Sequence, residues 1–254
     1  MTEDLSEREI AHALIASLDL TDLSDNCTQD DIARLCERAA SSEGDVAAIC
    51  IWPRFVSFAR ERLKPGIRIA TVVNFPAGTD DVEATVAETS RAVADGADEI
   101  DLVVSYRRIG TDGGFVRDQV ARVKEACGNA RLKTILETGE LSEPALIAAA
   151  AREALAGGAD FLKTSTGKVA VNATPEAAEI LLRAIAEAGG TVGFKPAGGI
   201  KTYEDAKAYR DLANRICGDG YATPDRFRLG ASGVLADLLA VAGGAARGGA
   251  RAGY

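Results

Sequence analysis

The chain has 254 residues, of which 47% are hydrophobic and only 5% aromatic, so its core must be built mainly from aliphatic side chains. This length suits one large domain, because α/β barrels commonly use about 250 residues as a single unit. The 29 basic residues against 38 acidic ones give a net charge of −9, which argues against a nucleic-acid or anionic-membrane partner. Any anionic ligand must therefore be held by local features of the chain.

The N-terminal segment and the cysteines indicate the cellular compartment. The first twenty residues are acidic and lack a basic leader region, and no apolar run reaches the roughly 18 residues of a membrane span. The five cysteines are odd in number and none forms a CxxC pair, so we expect reduced thiols rather than disulfides or a metal site. These features predict a cytoplasmic protein.

Eight short, β-branched runs recur along the chain and are the predicted strands. They lie at 17–20, 46–51, 67–73, 99–104, 131–137, 160–164, 191–195 and 226–230. The gaps hold helical patterns, for instance at 80–97 and at 174–190, where Thr174 and Pro175 form a start signal and Gly189 a stop signal. Strands with almost no polar alternation fit a parallel sheet that is covered on both faces.

This order of elements predicts an α/β fold, a single (β/α)8 TIM barrel over 1–241. A doubly wound open sheet is the alternative. A short helical extension precedes the first strand and contains His12, the only histidine, which argues against a histidine-based metal site and a Ser-His-Asp triad. The Gly- and Ala-rich segment 242–254 is predicted to be a flexible tail.

Four charged residues interrupt the predicted strands at matching points. Asp101, Lys133, Lys163 and Lys195 are spaced by 32, 30 and 32 residues, which matches the βα repeat. Barrel active sites lie at the carboxyl ends of the strands, so we expect these side chains to converge on one cavity, from alternate layers. For Lys133, the alternative is a lysine that ends its strand and extends to solvent.

The composition of this group points to amine chemistry. A lone carboxylate at Asp101 would be expensive to bury, so we expect a lysine partner, and two lysines exceed what one ion pair needs. Two ammonium groups in a poorly solvated site disfavour each other's protonation, which lowers a lysine pKa and frees an amine that attacks carbonyls. The product would be a Schiff base, and the residues alone leave Lys163 and Lys195 both open as the nucleophile.

Three loops that follow late strands are rich in backbone donors. They are 164–168, 196–202 and 230–233. Loops in these positions bind phosphate in barrels, because glycines let N–H groups approach the oxygens and helix N-termini add their dipole. Lys168 and Lys201 would supply positive charge. The first loop does not have the spacing of a P-loop.

Seven motifs, taken together and in their order, closely resemble the deoxyribose-phosphate aldolase family of class I aldolases. They are SLDLTDL, AAICIWPRF, ADEIDLVVSY, ILETGEL, ADFLKTSTGK, GFKPAGGIKT and RLGASGVLADLL. The resemblance implies a (β/α)8 barrel that reversibly cleaves 2-deoxy-D-ribose 5-phosphate to glyceraldehyde 3-phosphate and acetaldehyde, without a metal or other cofactor. It also implies that Lys163 forms the Schiff base and that Asp101 and Lys195 transfer protons. Homodimers are usual among proteins that resemble this chain.

The resemblance also completes the set of expected site residues. The expected phosphate-binding residues are Gly167, Lys168, Gly198, Gly199, Lys201, Gly230 and Ser232. The accessory candidates are Asp19, Thr21, Cys50, Lys133 and Tyr254. Lys201 stands where some relatives have arginine and Gly233 where a second serine is common, so we expect weaker phosphate binding rather than lost activity. The terminal tyrosine suggests that the tail folds back over the barrel mouth, where Tyr254 would relay a proton.

Two other functions stay open at this point. A transaldolase-like enzyme would share the lysine but handle a larger donor. A catalytically silent sugar-phosphate sensor would keep the loops and use the lysines only for their charge. Loss of Lys163 or Asp101 would favour the sensor, and both residues are present.

Overall fold

The computed structural model describes residues 5–141 and 143–244. In this part of the chain the strands are β1 Leu18–Asp22, β2 Ala40–Ser41, β3 Gly44–Asp45, β4 Ala48–Ile51, β5 Arg68–Val73, β6 Glu99–Val103, β7 Arg131–Ile135, β8 Phe161–Lys163, β9 Gly193–Lys195 and β10 Leu229–Ala231. The α-helices are α1 Glu7–Ala16, α2 Gln29–Arg38, α3 Val56–Arg60, α4 Val82–Ala94, α5 Gly113–Cys127, α6 Pro144–Ala156, α7 Pro175–Glu187, α8 Tyr203–Cys217 and α9 Val234–Ala242.

Eight of the strands in the described residues form one parallel sheet that curls into a barrel. Its order is β10-β1-β4-β5-β6-β7-β8-β9. The two ends of this order, β9 and β10, approach each other through isolated bridges from Phe194 to Phe227 and from Ala197 to Gly230, so the barrel is nearly closed. The predicted (β/α)8 barrel is confirmed, and the open-sheet alternative is wrong.

Burial on both faces explains why the strand runs lack polar alternation. β4 and β6 are buried at every position, as expected for strands that line the barrel on one face and pack under helices on the other. The predicted start of α7 is confirmed, since the Thr174 hydroxyl accepts a hydrogen bond from Ala177 N–H at 3.1 Å and Pro175 is the first helical residue.

The predicted helical extension is α1, which begins with a capping box between Ser6 and Glu9 and packs against α9. This contact joins the start of the barrel to its last helix, as β1 joins β10 in the sheet. Within residues 5–141 and 143–244, every helix is too short or too polar to cross a membrane.

Some details of the fold differ from the prediction. β2 and β3 form an antiparallel hairpin that was not predicted, because two-residue strands are too short for side-chain alternation to appear in the sequence. The last barrel strand begins at Leu229 rather than at 226, since this stretch meets β9 only through the bridge at Phe227. Helix α9 includes Ala242, the first residue of the predicted tail, and residues after 244 lie outside the described part of the chain.

Gly193, at the start of β9, tests how tightly the barrel is packed. A Cβ atom on Gly193 would lie 2.3 Å from the ring of the buried Phe161 on the neighbouring strand. We therefore expect Gly193→Ala to lower the free energy of unfolding by about 1–3 kcal/mol, as overpacking does. Gly233→Ala is the control, because the described residues leave open space around its Cβ position and its φ of −79° suits alanine. Urea denaturation compares the two, and equal stabilities would contradict the packing described here.

Candidate active site

The four predicted charged residues meet inside the barrel at one carboxylate. Asp101 accepts hydrogen bonds from Lys133 Nζ at 2.9 Å on Oδ1 and from Lys163 Nζ and Lys195 Nζ, each at 2.7 Å, on Oδ2. The register allows this meeting, since Asp101 lies opposite Lys133 across β6 and β7, and Lys163 lies opposite Lys195 across β8 and β9. All four side chains are buried.

Lys133 is fully buried, so the alternative in which it ends its strand and extends to solvent is wrong. Besides Asp101, its ammonium contacts Glu99 Oε2 at 2.5 Å and Asp19 Oδ2 at 3.3 Å. Three carboxylates around one ammonium compensate for its lost hydration. The sequence could not show this arrangement, because Asp19 comes from β1, which is distant from Lys133 along the chain.

A second group of charges lies against the first, and the sequence analysis missed two of its members, Glu99 and Arg228. Arg228 Nη1 donates to Asp19 Oδ1 at 2.6 Å and to Glu99 Oε2 at 3.0 Å, while Nη2 donates to Glu99 Oε1 at 2.8 Å. Lys195 Nζ also donates to Asp19 Oδ2 at 2.5 Å. One signal was present in the sequence, since Glu99 precedes Asp101 by two residues and therefore lies on the same face of β6.

These side chains form one buried network with unequal numbers of positive and negative groups. Within the described residues its members are four cations and three carboxylates, namely Lys133, Lys163, Lys195, Arg228, Asp19, Glu99 and Asp101. With every group ionised, the network would hold one excess positive charge away from water. Such a charge is expensive to bury, so one lysine is expected to lose its proton.

The directions of the pKa shifts distinguish the two lysines that the sequence left open. Burial, the largest influence, lowers the pKa of Lys163, and the Lys195 ammonium adds to this effect against the attraction of Asp101. Burial also opposes the Lys195 ammonium, but the carboxylates of Asp101 and Asp19 outweigh it and raise the pKa of Lys195. Lys163 has one carboxylate partner where Lys195 has two. The group most ready to act as a free amine is therefore Lys163.

Two accessory candidates lie next to this network. Cys50 Sγ is 3.9 Å from Asp101 Oδ2, and burial raises the pKa of the thiol, so it stays protonated in a small apolar cluster with neighbours such as Val72. The Thr21 hydroxyl donates to the backbone oxygen of Asp19 at 2.8 Å. Tyr254, the remaining accessory candidate, lies outside the described residues.

A cavity of about 780 Å³ opens above Lys163 at the carboxyl ends of the strands. Its lining includes all of the residues expected to bind phosphate, namely Gly167, Lys168, Gly198, Gly199, Lys201, Gly230 and Ser232, together with Thr21. Gly198 adopts a φ of 82°, and a Cβ atom there would lie 2.7 Å from the side chain of Asn172. Glycine at this position lets the backbone form the cavity wall.

Lys168 and Lys201, the two lysines of the cavity loops, differ in their surroundings. Lys168 Nζ donates to the exposed carboxylate of Asp25 at 2.8 Å and lies 6.0 Å from the ring centroid of Trp52. Lys201 is exposed, and its backbone N–H donates to Asp205 at 2.9 Å as helix α8 begins. An anion in the cavity would therefore compete with Asp25 for Lys168.

Glu137 is a buried carboxylate beside the cavity to which the sequence analysis gave no role. Its two carboxylate oxygens accept hydrogen bonds from Thr166 N–H at 3.1 Å and from the Thr166 hydroxyl at 2.6 Å. The same hydroxyl accepts from Lys168 N–H at 3.0 Å. Burial raises the pKa of Glu137, and its φ of 51° is rare for a non-glycine residue. This carboxylate fixes the first of the three cavity loops.

Fold and site together define a class of protein: a (β/α)8-barrel enzyme with a buried lysine network beneath a cavity that is lined by glycine-rich loops. Comparison with known proteins agrees with that class. Residues 13–236 match the DeoC/LacD family aldolases, and the chain belongs to this family of lyases.

Individual relatives support the same assignment. The chain is 54% identical to the deoxyribose-phosphate aldolase of Agrobacterium fabrum over 259 aligned positions, which covers all of both chains. A crystal structure from Toxoplasma gondii ME49, provisionally described as a deoxyribose-phosphate aldolase, is 28% identical with a TM-score of 0.88, covering 96% of this chain and 98% of that one. A deoxyribose phosphate aldolase from Aeropyrum pernix shares the fold at 24% identity, with a TM-score of 0.73 and 92% coverage of each chain.

Replacing each of the two neighbouring lysines by methionine should affect stability differently. Lys163→Met removes the amine whose protonated form the buried network disfavours, so we expect the free energy of unfolding at pH 7 to stay within about 1 kcal/mol of the wild type or to rise. Lys195→Met leaves Asp19 and Asp101 each short of a partner, and we expect a loss of about 3 kcal/mol or more. Denaturant titration measures both variants, and a larger loss for Lys163→Met would contradict the assignment.

The difference in stability between the wild type and Lys163→Met should depend on pH, and the pKa of Lys163 gives the sign of this dependence. The pKa of Lys163 is lower in the folded chain than its ordinary value of 10.5, so the unfolded chain binds more protons between those two pH values. Wild-type stability therefore gains from Lys163 as pH rises through that window. Any advantage of Lys163→Met at pH 7 should shrink toward pH 10.5, and an advantage that grows with pH would contradict the direction of the shift.

Proposed function

We propose that this protein is a deoxyribose-phosphate aldolase that cleaves 2-deoxy-D-ribose 5-phosphate reversibly through a Schiff base on Lys163. The observation that carries the proposal is one buried lysine of lowered pKa, 2.7 Å from Asp101, at the floor of a cavity lined by donor-rich glycine loops. The match to a curated enzyme of that name over the whole chain supports the choice of substrate. Such an enzyme would act in the breakdown of deoxyribose phosphates.

The first half of the reaction forms the covalent intermediate. The neutral amine of Lys163 attacks C1 of the open-chain sugar, and loss of water from the carbinolamine leaves an iminium ion. Lys195 is suited to donate the proton that leaves with this water, because its raised pKa keeps it an ammonium. Asp101, whose carboxylate is held ionised despite its burial by the ammonium groups of Lys133 and Lys195, would stabilise the positive iminium.

The second half breaks and remakes bonds at C2. The 3-hydroxyl loses its proton, the C2–C3 bond breaks, and its electron pair moves into the iminium, so glyceraldehyde 3-phosphate leaves and an enamine remains. Protonation of the enamine at C2 and addition of water release acetaldehyde and restore the amine. Asp101 and Lys195 would move these protons, directly or through a water molecule. Tyr254 as an additional relay, the homodimer and the cytoplasmic location remain predictions.

The glycine loops would hold the phosphate at the far end of the sugar. Gly198, Ser232 and Gly233, the residue before helix α9, line the same cavity as Lys163. Lys201 is an exposed positive side chain there, and Lys168 would exchange Asp25 for the phosphate. With lysine in place of arginine at 201, the charge acts as a point rather than as a bidentate fork, so we expect weaker phosphate binding than in arginine-containing relatives.

Trapping with borohydride tests the nucleophile. Incubation with acetaldehyde and borohydride should attach an ethyl group to Lys163, which peptide mass mapping would locate. Lys163→Ala should abolish trapping and turnover, because the residual enzyme has no nucleophile. Lys168→Ala is the matched control and should still be trapped. Labelling on Lys195 in place of Lys163 would contradict the mechanism, and absence of any turnover with the phosphorylated sugar would contradict the proposed substrate.

The phosphate site has its own test with two substrates. Lys201→Ala and Ser232→Ala should each raise KM for deoxyribose 5-phosphate by roughly tenfold, the scale of one lost charge-assisted hydrogen bond. Both variants should leave kcat/KM for unphosphorylated deoxyribose within about twofold of the wild type, because a phosphate contact is silent without phosphate. Equal losses on both substrates would mean that these residues support the loop structure instead.

A further inference from the structure

Glu99 and Arg228 are buried charged residues that the proposed mechanism does not use. Both side chains are fully buried, and two hydrogen bonds from the guanidinium reach both carboxylate oxygens of Glu99 at 2.8 and 3.0 Å. Arg228 Nε donates to the backbone oxygen of Pro224 at 2.5 Å. Neither residue is among the described residues that line the cavity. Their position is beneath the reactive group rather than beside it.

Two short chains of ion pairs connect this pair to Lys163. Glu99 binds Lys133, which binds Asp101, which binds Lys163. In parallel, Arg228 binds Asp19, whose other oxygen binds Lys195, and Lys195 also binds Asp101. Each charge of the pair therefore acts on the same carboxylate that holds the amine.

A purely structural role explains this pair poorly. A buried ion pair seldom stabilises a fold more than apolar side chains of similar volume would, because dehydration of both charges offsets their attraction. The same low-dielectric surroundings let a change of charge act over several ångströms. The pair therefore contributes little to the stability of the fold, but its charges act strongly on nearby titratable groups.

We propose that Glu99 and Arg228 are positioning residues whose opposite charges fix the charge balance beneath Lys163 and so fix its protonation state. This inference rests on the proposed function only for the reason why the protonation state of Lys163 matters, because labelling measures that state directly. The titratable and charged groups that surround Lys163 from the packed elements are Asp19, Cys50, Glu99, Asp101, Lys133, Glu137, Lys195 and Arg228. Of these, Glu99 and Arg228 offset each other through their shared bonds.

Counting charges gives opposite signs for the two single variants. Arg228→Met leaves equal numbers of lysines and carboxylates in the network, so Lys163 should keep its proton to a pH about one unit higher. Glu99→Gln increases the excess of positive charge, so Lys163 should lose its proton about one unit lower. The double variant restores the original excess and should titrate close to the wild type.

Competitive labelling measures the titration without any substrate. The full chain would be exposed to trace acetic anhydride at a series of pH values, and acetylation of Lys163 quantified by peptide mass spectrometry. Arg228→Lys, which keeps the charge, should match the wild type. The proposal is overturned if the two single variants shift in the same direction, if neither shifts, or if the double variant shifts as far as a single one.

A surface variant keeps the test decisive when a buried substitution prevents folding. Arg68 is about one-third exposed, lies 3.5 Å from Glu99 and also pairs with Asp225. The control is Arg183, an exposed arginine on α7 that pairs with Glu179. Arg68→Gln should raise the pH at which Lys163 titrates by a few tenths of a unit, and Arg183→Gln should not. Equal behaviour of these two variants overturns the proposal.

The outcome for this inference is separate from the outcome for the proposed function. A wild-type enzyme that is not trapped by acetaldehyde and borohydride would overturn the Schiff-base mechanism, yet the opposite shifts of Lys163 would still appear. Conversely, a normal trapping result with no shift in any variant would leave the aldolase proposal standing and remove Glu99 and Arg228 from it.

Discussion

The structure depends on the Asp101 carboxylate, which lies at the centre of the barrel and accepts hydrogen bonds from three lysines on three different strands. Burial alone would raise the pKa of this carboxyl, but the ammonium groups outweigh burial and hold it well below its usual range. Asp101 can serve three lysines only because β6, β7, β8 and β9 are neighbours in the barrel. A shift of one residue in any of these strands would turn its charged side chain away from the interior.

The buried lysines differ in pKa because they contact different numbers of carboxylates. Lys133 and Lys195 each contact more than one carboxylate, and each has a raised pKa. Among the described residues, Lys163 pairs with the carboxylate of Asp101 alone, and its pKa is lowered. The barrel therefore places a lysine of lowered pKa next to ammonium groups of raised pKa, which is the combination that the proposed Schiff-base chemistry needs. The glycine loops complete the site by forming a cavity wall from backbone rather than from side chains.

The sequence predicted the barrel and the cluster of lysines around Asp101 because both leave regular signals. Eight apolar runs at βα spacing identify the fold, and a charge inside such a run is costly enough to be informative. The sequence could not show that Lys133 is enclosed by Asp19 and Glu99, since the three residues lie on separate strands and meet only when the barrel forms. Arg228 was missed for a similar reason, because one arginine before the last strand looks like a surface residue until its partners are known.

The central claim is that Lys163 alone among the buried lysines of the described network is a free amine near neutral pH. Titration of the lysine side chains by NMR, with ¹³C and ¹⁵N labels and assignment by single substitutions, measures this most directly. The account predicts that Lys163 titrates below its ordinary value of 10.5, while Lys133 and Lys195 stay protonated to higher pH than Lys163 does. If Lys163 titrates together with the other two, or if Lys195 loses its proton first, the account is contradicted.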